Sequence, residues 1–108
     1  MDQQKKLFDY AIWLLARRRY HSIELHKKII QKKQATVQEA DEVIRKLYTY
    51  KYINDNEYLT LFIRDQFQRK PQSIRLIRQK LLQKGIPADQ ISPALLEQGD
   101  PTSELEQA

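Results

Sequence analysis

A chain of 108 residues with nineteen Lys and Arg, fourteen Asp and Glu, no Cys and two Gly is one domain's worth of protein and little more. The missing Cys excludes disulfides, thiolate metal sites and a Cys nucleophile, and two Gly cannot write a phosphate-cradling loop or a dinucleotide fingerprint. The net charge of +5 splits unevenly: residues 1–84 hold every base and nine acids, +10, whereas residues 85–108 hold five acids and no base, −5. A basic body draws polyanions by long-range steering, although Lys and Arg also serve simply to solvate helix faces. With a mean hydropathy of −0.73 and interrupted apolar runs, no transmembrane helix is expected. Met1-Asp2-Gln3-Gln4-Lys5-Lys6 lacks the apolar stretch of a signal peptide, so the expected compartment is cytoplasmic.

The periodicity is helical from end to end. Leu7, Ala11, Leu14 and Leu15 fall on one face of a helix from about Gln3 to Arg19, and Phe8, Ile12 and Trp13 widen that face, so Trp13 is expected in or near the core. Ser22 reads as the N-cap of a second helix running to about Lys33, with Leu25, Ile29 and Ile30 inward. Thr36-Val37-Gln38-Glu39 is a capping box: the Thr hydroxyl can accept from the Glu39 N–H while the Glu39 side chain reaches back. It opens a third helix with Val37, Ala40, Val43 or Ile44, and Leu47 inward. Asn54, three residues before Glu57, offers a cap for a fourth helix that carries Tyr58, Leu59, Phe62, Ile63 and Phe67. Pro71 suits the first turn of a fifth, lined by Ile74, Ile77 and Leu81, and Gly85 stands where a left-handed stop is wanted. A sixth helix is expected between about Ala88 and Glu97. Pro93 would cost it roughly 3 kcal/mol if deep inside, so the helix either starts with Ser92 as cap or bends there. The last ten residues, acidic and poor in aliphatics, read as a disordered tail. No segment shows the alternation of a strand.

The helices repeat. Glu24–Lys33, ELHKKIIQKK, aligns without a gap on Leu76–Gly85, LIRQKLLQKG, so that Lys28, Gln31 and Lys32 match Lys80, Gln83 and Lys84 at an offset of 52. Helices three and six align at an offset of 48, Ala40-Asp41 with Ala88-Asp89, Val43 with Ile91 and Leu47 with Leu95. Helices one and four align less closely, Tyr10 with Tyr58. The expected fold is all-α: tandem three-helix repeats of about residues 3–50 and 51–98 in one elongated, curved domain, followed by the tail 99–108.

In this order and spacing, Ala16-Arg17-Arg18-Arg19-Tyr20-His21-Ser22 with Glu24-Leu25, Tyr52-Ile53-Asn54-Asp55, Phe62-Ile63-Arg64 and Ile77-Arg78-Gln79-Lys80-Leu81-Leu82-Gln83-Lys84-Gly85-Ile86 resemble the RecX family, regulators of the RecA recombinase. Lys51 stands where the family usually has a Gly before helix four, and Lys80 where it usually has an acid. The resemblance covers about Tyr10 to Leu96. It implies a non-enzymatic protein that docks in the groove of the RecA–single-stranded DNA filament and regulates RecA, mostly by inhibition. Familiar members have three repeats; with two, this chain would span fewer RecA protomers.

The partner-contact candidates are Arg17, Arg18 and Arg19 at the end of helix one, and Arg64, Arg69, Lys70, Arg75, Arg78, Lys80 and Lys84 around helix five. Arg75 and Arg78 are three apart and project together. Helix-dipole compensation would account for part of the first group and plain solvation for part of the second; Arg64 could instead pair with Asp55 or Asp65. Tyr48, Tyr50, Tyr52 and Tyr58 are expected to pack between the repeats rather than to stack on bases. The RecA filament is the expected partner, with single-stranded DNA second, and the protein a monomer without cofactor. Two other readings stand beside this one: a stand-alone nucleic-acid binder through a helix-turn-helix, and a helical adaptor for an acidic protein. No carboxylate pair on an apolar face, metal-ligand spacing or Ser-His-Asp arrangement supports an enzyme.

Overall fold

A computed structural model describes residues 2–69 and 73–98. Those residues form six α-helices: α1 Asp2–Arg17, α2 Ser22–Lys33, α3 Val37–Thr49, α4 Asp55–Arg69, α5 Ile74–Gln83 and α6 Ala88–Glu97. The chain divides into two compact units, Met1–Asp55 and Asn56–Ala108. Among the described residues there is no strand, and no helix is long and apolar enough to cross a membrane.

The first unit packs α1, α2 and α3 around Leu7, Ala11, Leu14, Leu25, Ile29, Ala40, Val43 and Leu47, closed at its edges by Tyr20, Ala35 and Ile53. Phe8, Ile12, Leu15, Ile30 and Ile44 lie half-buried against that core. Each fully buried Leu or Ile removes enough apolar surface from water to favour folding by about 1.5–3 kcal/mol. The second unit is built the same way, from Tyr58, Leu59 and Ile63 of α4, Ile77 and Leu81 of α5, Ile86 after it, and Ile91, Ala94 and Leu95 of α6. Leu25 and Ile29 are buried at the same register as Ile77 and Leu81, and Val43 and Leu47 at the same register as Ile91 and Leu95. The tandem three-helix repeat is therefore a repeat of packing as well as of letters.

Helix ends follow local chemistry. Thr36 caps α3 with both bonds of the capping box, Glu39 N–H to Thr36 Oγ1 at 3.1 Å and Thr36 N–H to Glu39 Oε1 at 2.9 Å. At the end of α5, Gly85 takes φ 91°, Gly85 N–H bonds the Leu82 carbonyl and Ile86 N–H bonds the Leu81 carbonyl. That is the Schellman motif, with Ile86 and Leu81 making its apolar contact. The end of α3 makes the same two bonds, Lys51 N–H to Tyr48 and Tyr52 N–H to Leu47, but the left-handed residue is Lys51, at φ 63°.

Several expectations are corrected. Ser22 is not the cap of α2: His21 is, in extended conformation, its Nδ1 accepting from Ile23 N–H at 3.1 Å while His21 N–H donates to Glu24 Oε1 at 3.1 Å. Ser22 is released for another partner, described below. α5 begins at Ile74 with Ser73 as cap; Pro71 and the acidic tail 99–108 lie outside the described residues. α6 covers the expected Ala88–Glu97 and does not start at Ser92. It runs through Pro93: the bond that a Pro93 N–H would have made to the Asp89 carbonyl is lost, and the burial of Ile91, Ala94 and Leu95 offsets that cost. Trp13 is not in the core but 52 % exposed: with Leu7, Ala11 and Leu14 facing inward, its position falls on the outer side of α1. Val37 is likewise exposed, standing in the first turn of α3 ahead of the packed stripe.

Candidate partner-binding surface

The basic residues sort into those held by neighbours and those presented outward. Arg17 lies over the Trp13 ring, 4.2 Å from its centroid, and Trp13 stacks on Tyr10. Arg18 is a structural residue: its guanidinium sits 3.7 Å over Tyr20, donates to the Arg19 carbonyl at 2.8 Å and approaches Glu24 at 3.6 Å. Arg19 is exposed. In the second unit Arg69 pairs with Asp65 at 3.1 Å, so Asp65 is not the partner of Arg64, which is exposed on α4. Asp55 is engaged in the first unit and is not its partner either. Lys80 is half-buried and donates to Gln66 Oε1 at 3.0 Å, and Lys84 Nζ lies 5.5 Å from the Phe62 ring centroid. Lys70 lies outside the described residues.

Arg75 and Arg78 remain. Both are exposed, and among the described residues neither has an ion-pair partner. At 100° per residue they share one face of α5 with Gln79 and Leu82. Leu82 is 47 % exposed, so the face is two guanidinium forks beside an aliphatic side chain. Guanidinium groups suit bidentate contact with carboxylate or phosphate, and exposed Leu adds apolar contact. Buried Ile77 and Leu81 hold α5 from behind, so the face is carried on a rigid element.

The tyrosines do something other than expected. Tyr50 and Tyr52 pack edge-on against Phe8 of α1, with ring centroids 6.3 and 6.0 Å away, inside the first unit and still more than half exposed. Tyr58 is buried and stacks on Phe62 inside the second. Tyr48 joins a polar cluster that the residue order does not suggest. Asp55, the first residue of α4, accepts from Ser22 N–H at 2.8 Å, from Ser22 Oγ at 2.6 Å and from the Tyr48 hydroxyl. His21, fully buried, brings Nε2 to 3.5 Å from Asp55 Oδ2. Because His21 Nδ1 accepts from a backbone N–H, the neutral ring carries its proton on Nε2, toward the carboxylate. Burial and the Asp55 hydrogen bond raise the Tyr48 hydroxyl above its usual pKa, with a hydrogen bond to Ser22 pulling the other way.

Ser, His and Asp thus meet after all, but not as a catalytic triad. The Ser22 hydroxyl donates to the carboxylate and not to the imidazole, and the nitrogen that would orient the ring is taken up by helix capping. The cluster ties the start of α2, the end of α3 and the start of α4 together. Among the described residues no group of three or more His, Asp or Glu is placed to hold a metal ion.

The first unit also carries a groove that sequence reasoning missed. It lies between α2 and α3, has a volume of about 430 Å³, and is lined by Ser22, Ile23, His26, Lys27, Asp41 and Ile44. The available signal was Ile23, an aliphatic beside the inward stripe of α2, and Ile44, the alternative to Val43 on the stripe of α3.

The chain has relatives among known proteins. The family model "RecX, second three-helix domain" matches residues 54–95, the span of α4 to α6. The chain is 30 % identical over 98 residues to "Regulatory protein RecX" of Geobacillus kaustophilus, covering 89 % of this chain and 35 % of that one. It is 32 % identical over 91 residues to the protein of the same name from Haemophilus influenzae, covering 83 % and 59 %. A solved structure, "Crystal structure of regulatory protein RecX", matches with a TM-score of 0.77 and 25 % identity over 89 % of this chain and 47 % of that one. The chain spans about a third of the length of the first of these relatives.

Proposed function

We propose that this chain, which belongs to the RecX family, regulates the RecA recombinase by binding the RecA–single-stranded DNA filament, without catalysing a reaction of its own. The observation that carries the reading is the exposed face of α5. Arg75 and Arg78 stand side by side, unpaired with any acid among the described residues, in the segment that matches the family's second three-helix domain. A filament offers acidic protein surface and phosphate at a regular spacing, and either is a bidentate partner for guanidinium. Two three-helix repeats within residues 1–98 would lie along it in the cytosol as a monomer, with α5 as the principal contact and Arg17, Arg19 and Arg64 as supporting ones. Regulation follows if the helix face binds one filament state better than another: the equilibrium then shifts by the difference in affinity, and protomers are held away from hydrolysis and strand exchange. The neighbouring Leu82 favours a contact that is protein in the main, since phosphate has no use for an aliphatic side chain.

The test is RecA's DNA-dependent ATPase with and without the chain at stoichiometric amounts. Inhibition by the unaltered chain is expected. In the Arg75→Glu/Arg78→Glu double variant it is expected to weaken by about tenfold or more at unchanged helicity. Steeply salt-dependent binding to DNA alone, as tight as to the filament, would replace RecA by nucleic acid as the partner.

A further inference from the structure

We infer that the outer face of α1, with the end of α2 beside it, is a stacking site for single-stranded nucleic acid. At 100° per residue Tyr10, Trp13 and Arg17 fall within about 60° of one another on α1, outside the inward stripe of Leu7, Ala11 and Leu14. They form a column. Trp13 stacks on Tyr10, with ring centroids 6.1 Å apart and planes at 17°, and the Arg17 guanidinium covers Trp13 at 4.2 Å from its centroid. From the last turn of α2, Lys33 brings Nζ to 4.8 Å from the Tyr10 centroid. Trp13, Arg17 and Lys33 are all exposed. Trp13 does not belong to the core cluster of this unit. A large aromatic ring held 52 % exposed outside the core gives folding little and marks a contact surface.

The charge around the column is one-sided. Arg17 and Lys33 have no ion-pair partner among the described residues. Ring faces hold these cations in place without neutralising them. From Trp13 to Lys33 the chain carries seven bases, Arg17, Arg18, Arg19, Lys27, Lys28, Lys32 and Lys33, against one acid, Glu24. Glu24 is engaged by Arg18. Asp9, exposed one turn before Trp13, is the carboxylate on α1 at the near edge. The balance calls for an anion.

The rings decide which anion. A carboxylate takes the N–H edge of a guanidinium and leaves the aromatic column uncovered. A nucleotide of a single strand uses both parts: its base lies on the Arg17 plane or the open side of Trp13 and extends the stack, while its phosphates meet Arg17 and Lys33. In a duplex the bases stack on one another and cannot reach the rings. The α5 face is the opposite case, arginines beside the aliphatic Leu82. From Tyr10 to Arg17 the column is about 10 Å long, room for only a few nucleotides, so it is a short contact. The site goes beyond the proposed function and does not need RecA.

The experiment titrates the full chain with a dT oligomer and reads the fluorescence of Trp13, the chain's single tryptophan, together with the anisotropy of a labelled oligomer. Trp13→Leu, Lys33→Glu and the unaltered chain are compared, with helicity recorded for each. Both side chains lie outside the core, and either variant that stays helical carries the test. The oligomer is expected to quench Trp13. Affinity is expected to fall by about tenfold for Trp13→Leu and by about threefold for Lys33→Glu. Duplex DNA of equal length and a poly-Glu peptide are expected to leave Trp13 unquenched. No binding of the oligomer, binding without quenching, or unchanged affinity in the folded variants overturns the site. A duplex that quenches as the oligomer does makes the contact one of phosphate alone, and poly-Glu that does so makes it a protein contact; either result overturns the assignment. No arm contains RecA, so failure here leaves the filament reading standing.

Discussion

The first three-helix unit ties its ends together with a polar cluster, whereas the second presents an exposed pair of arginines over the apolar packing of α5 and α6. His21 is the one fully buried polar side chain among the described residues, and it sits at the point where Ser22, Tyr48 and Asp55 converge. The register of aliphatic positions is common to both units, so the cluster is an addition to the plan and not a substitute for its core. The half-buried Asp55 carboxylate accepts three hydrogen bonds, and removing it strands their donors. In the second unit it is the outward face of α5, with Arg75 and Arg78 exposed, that sets the copy apart. The comparison teaches that one repeated scaffold can take on geometric precision in one copy and charge in the other.

The largest expected effect breaks the comparison at its centre. Asp55→Ala should destabilise the first unit by about 2–3 kcal/mol, because Ser22, Tyr48 and His21 all lose their acceptor. Hydrogen exchange checks it: protection should fall in α2 and α3 and hold in α5 and α6. Equal loss in both units would mean that they unfold as one, and the contrast would dissolve. Next come the two Schellman motifs. Gly85→Ala places a Cβ at φ 91° and should cost about 1–2 kcal/mol. Lys51→Gly relieves a side chain at φ 63° and should stabilise by about 0.5–1 kcal/mol. Urea midpoints that move in opposite directions would bear this out, and a Lys51→Gly midpoint that fell would show that the lysine stem is packed to advantage.

The smallest effect is at high pH. The Tyr48 pKa is raised in the folded state by burial and by Asp55, so the folded chain holds the phenolic proton more tightly than the unfolded chain does. That stabilisation is complete below the unfolded value near 10 and is lost as pH rises through the higher folded value. Tyr48→Phe should lower stability at neutral pH by under about 1 kcal/mol, the side chain being half-exposed, and should flatten the decline above about pH 10. An unchanged alkaline profile would remove Tyr48 from the cluster's energetics.

Much of the fold could be read in advance because helices write their faces at fixed intervals. Leu25, Ile29, Leu47, Ile77 and Leu81 fall inward by spacing alone and are buried, and of Val43 and Ile44 it is Val43 that is buried. Gly85 and the Thr36–Glu39 box were legible because one or two residues suffice to make a helix end. The candidate site was less so. Of the ten candidate basic residues, Arg17, Arg18, Arg69, Lys80 and Lys84 lie against neighbours in the chain, which a charge count cannot foresee. Trp13 reads as core when it is taken to widen the face of Leu7, Ala11 and Leu14, whereas on α1 it lies outside. His21 is not legible as a cap from the sequence, because Ser22 beside it is the commoner residue for that task.

The amino-acid order by itself determined the six helices, the two-fold repeat and the family resemblance, since each depends on neighbours a few residues away or on a motif read in line. The tertiary structure alone decided that Asp55 would collect Ser22 and Tyr48, that Ile23 and Ile44 would line one groove, and that Arg75 and Arg78 would stay exposed on one face of α5. Those outcomes depend on which residues meet across the bundle, some of them tens of positions apart. Such meetings are set by how the packed faces settle against one another, a quantity no local window contains.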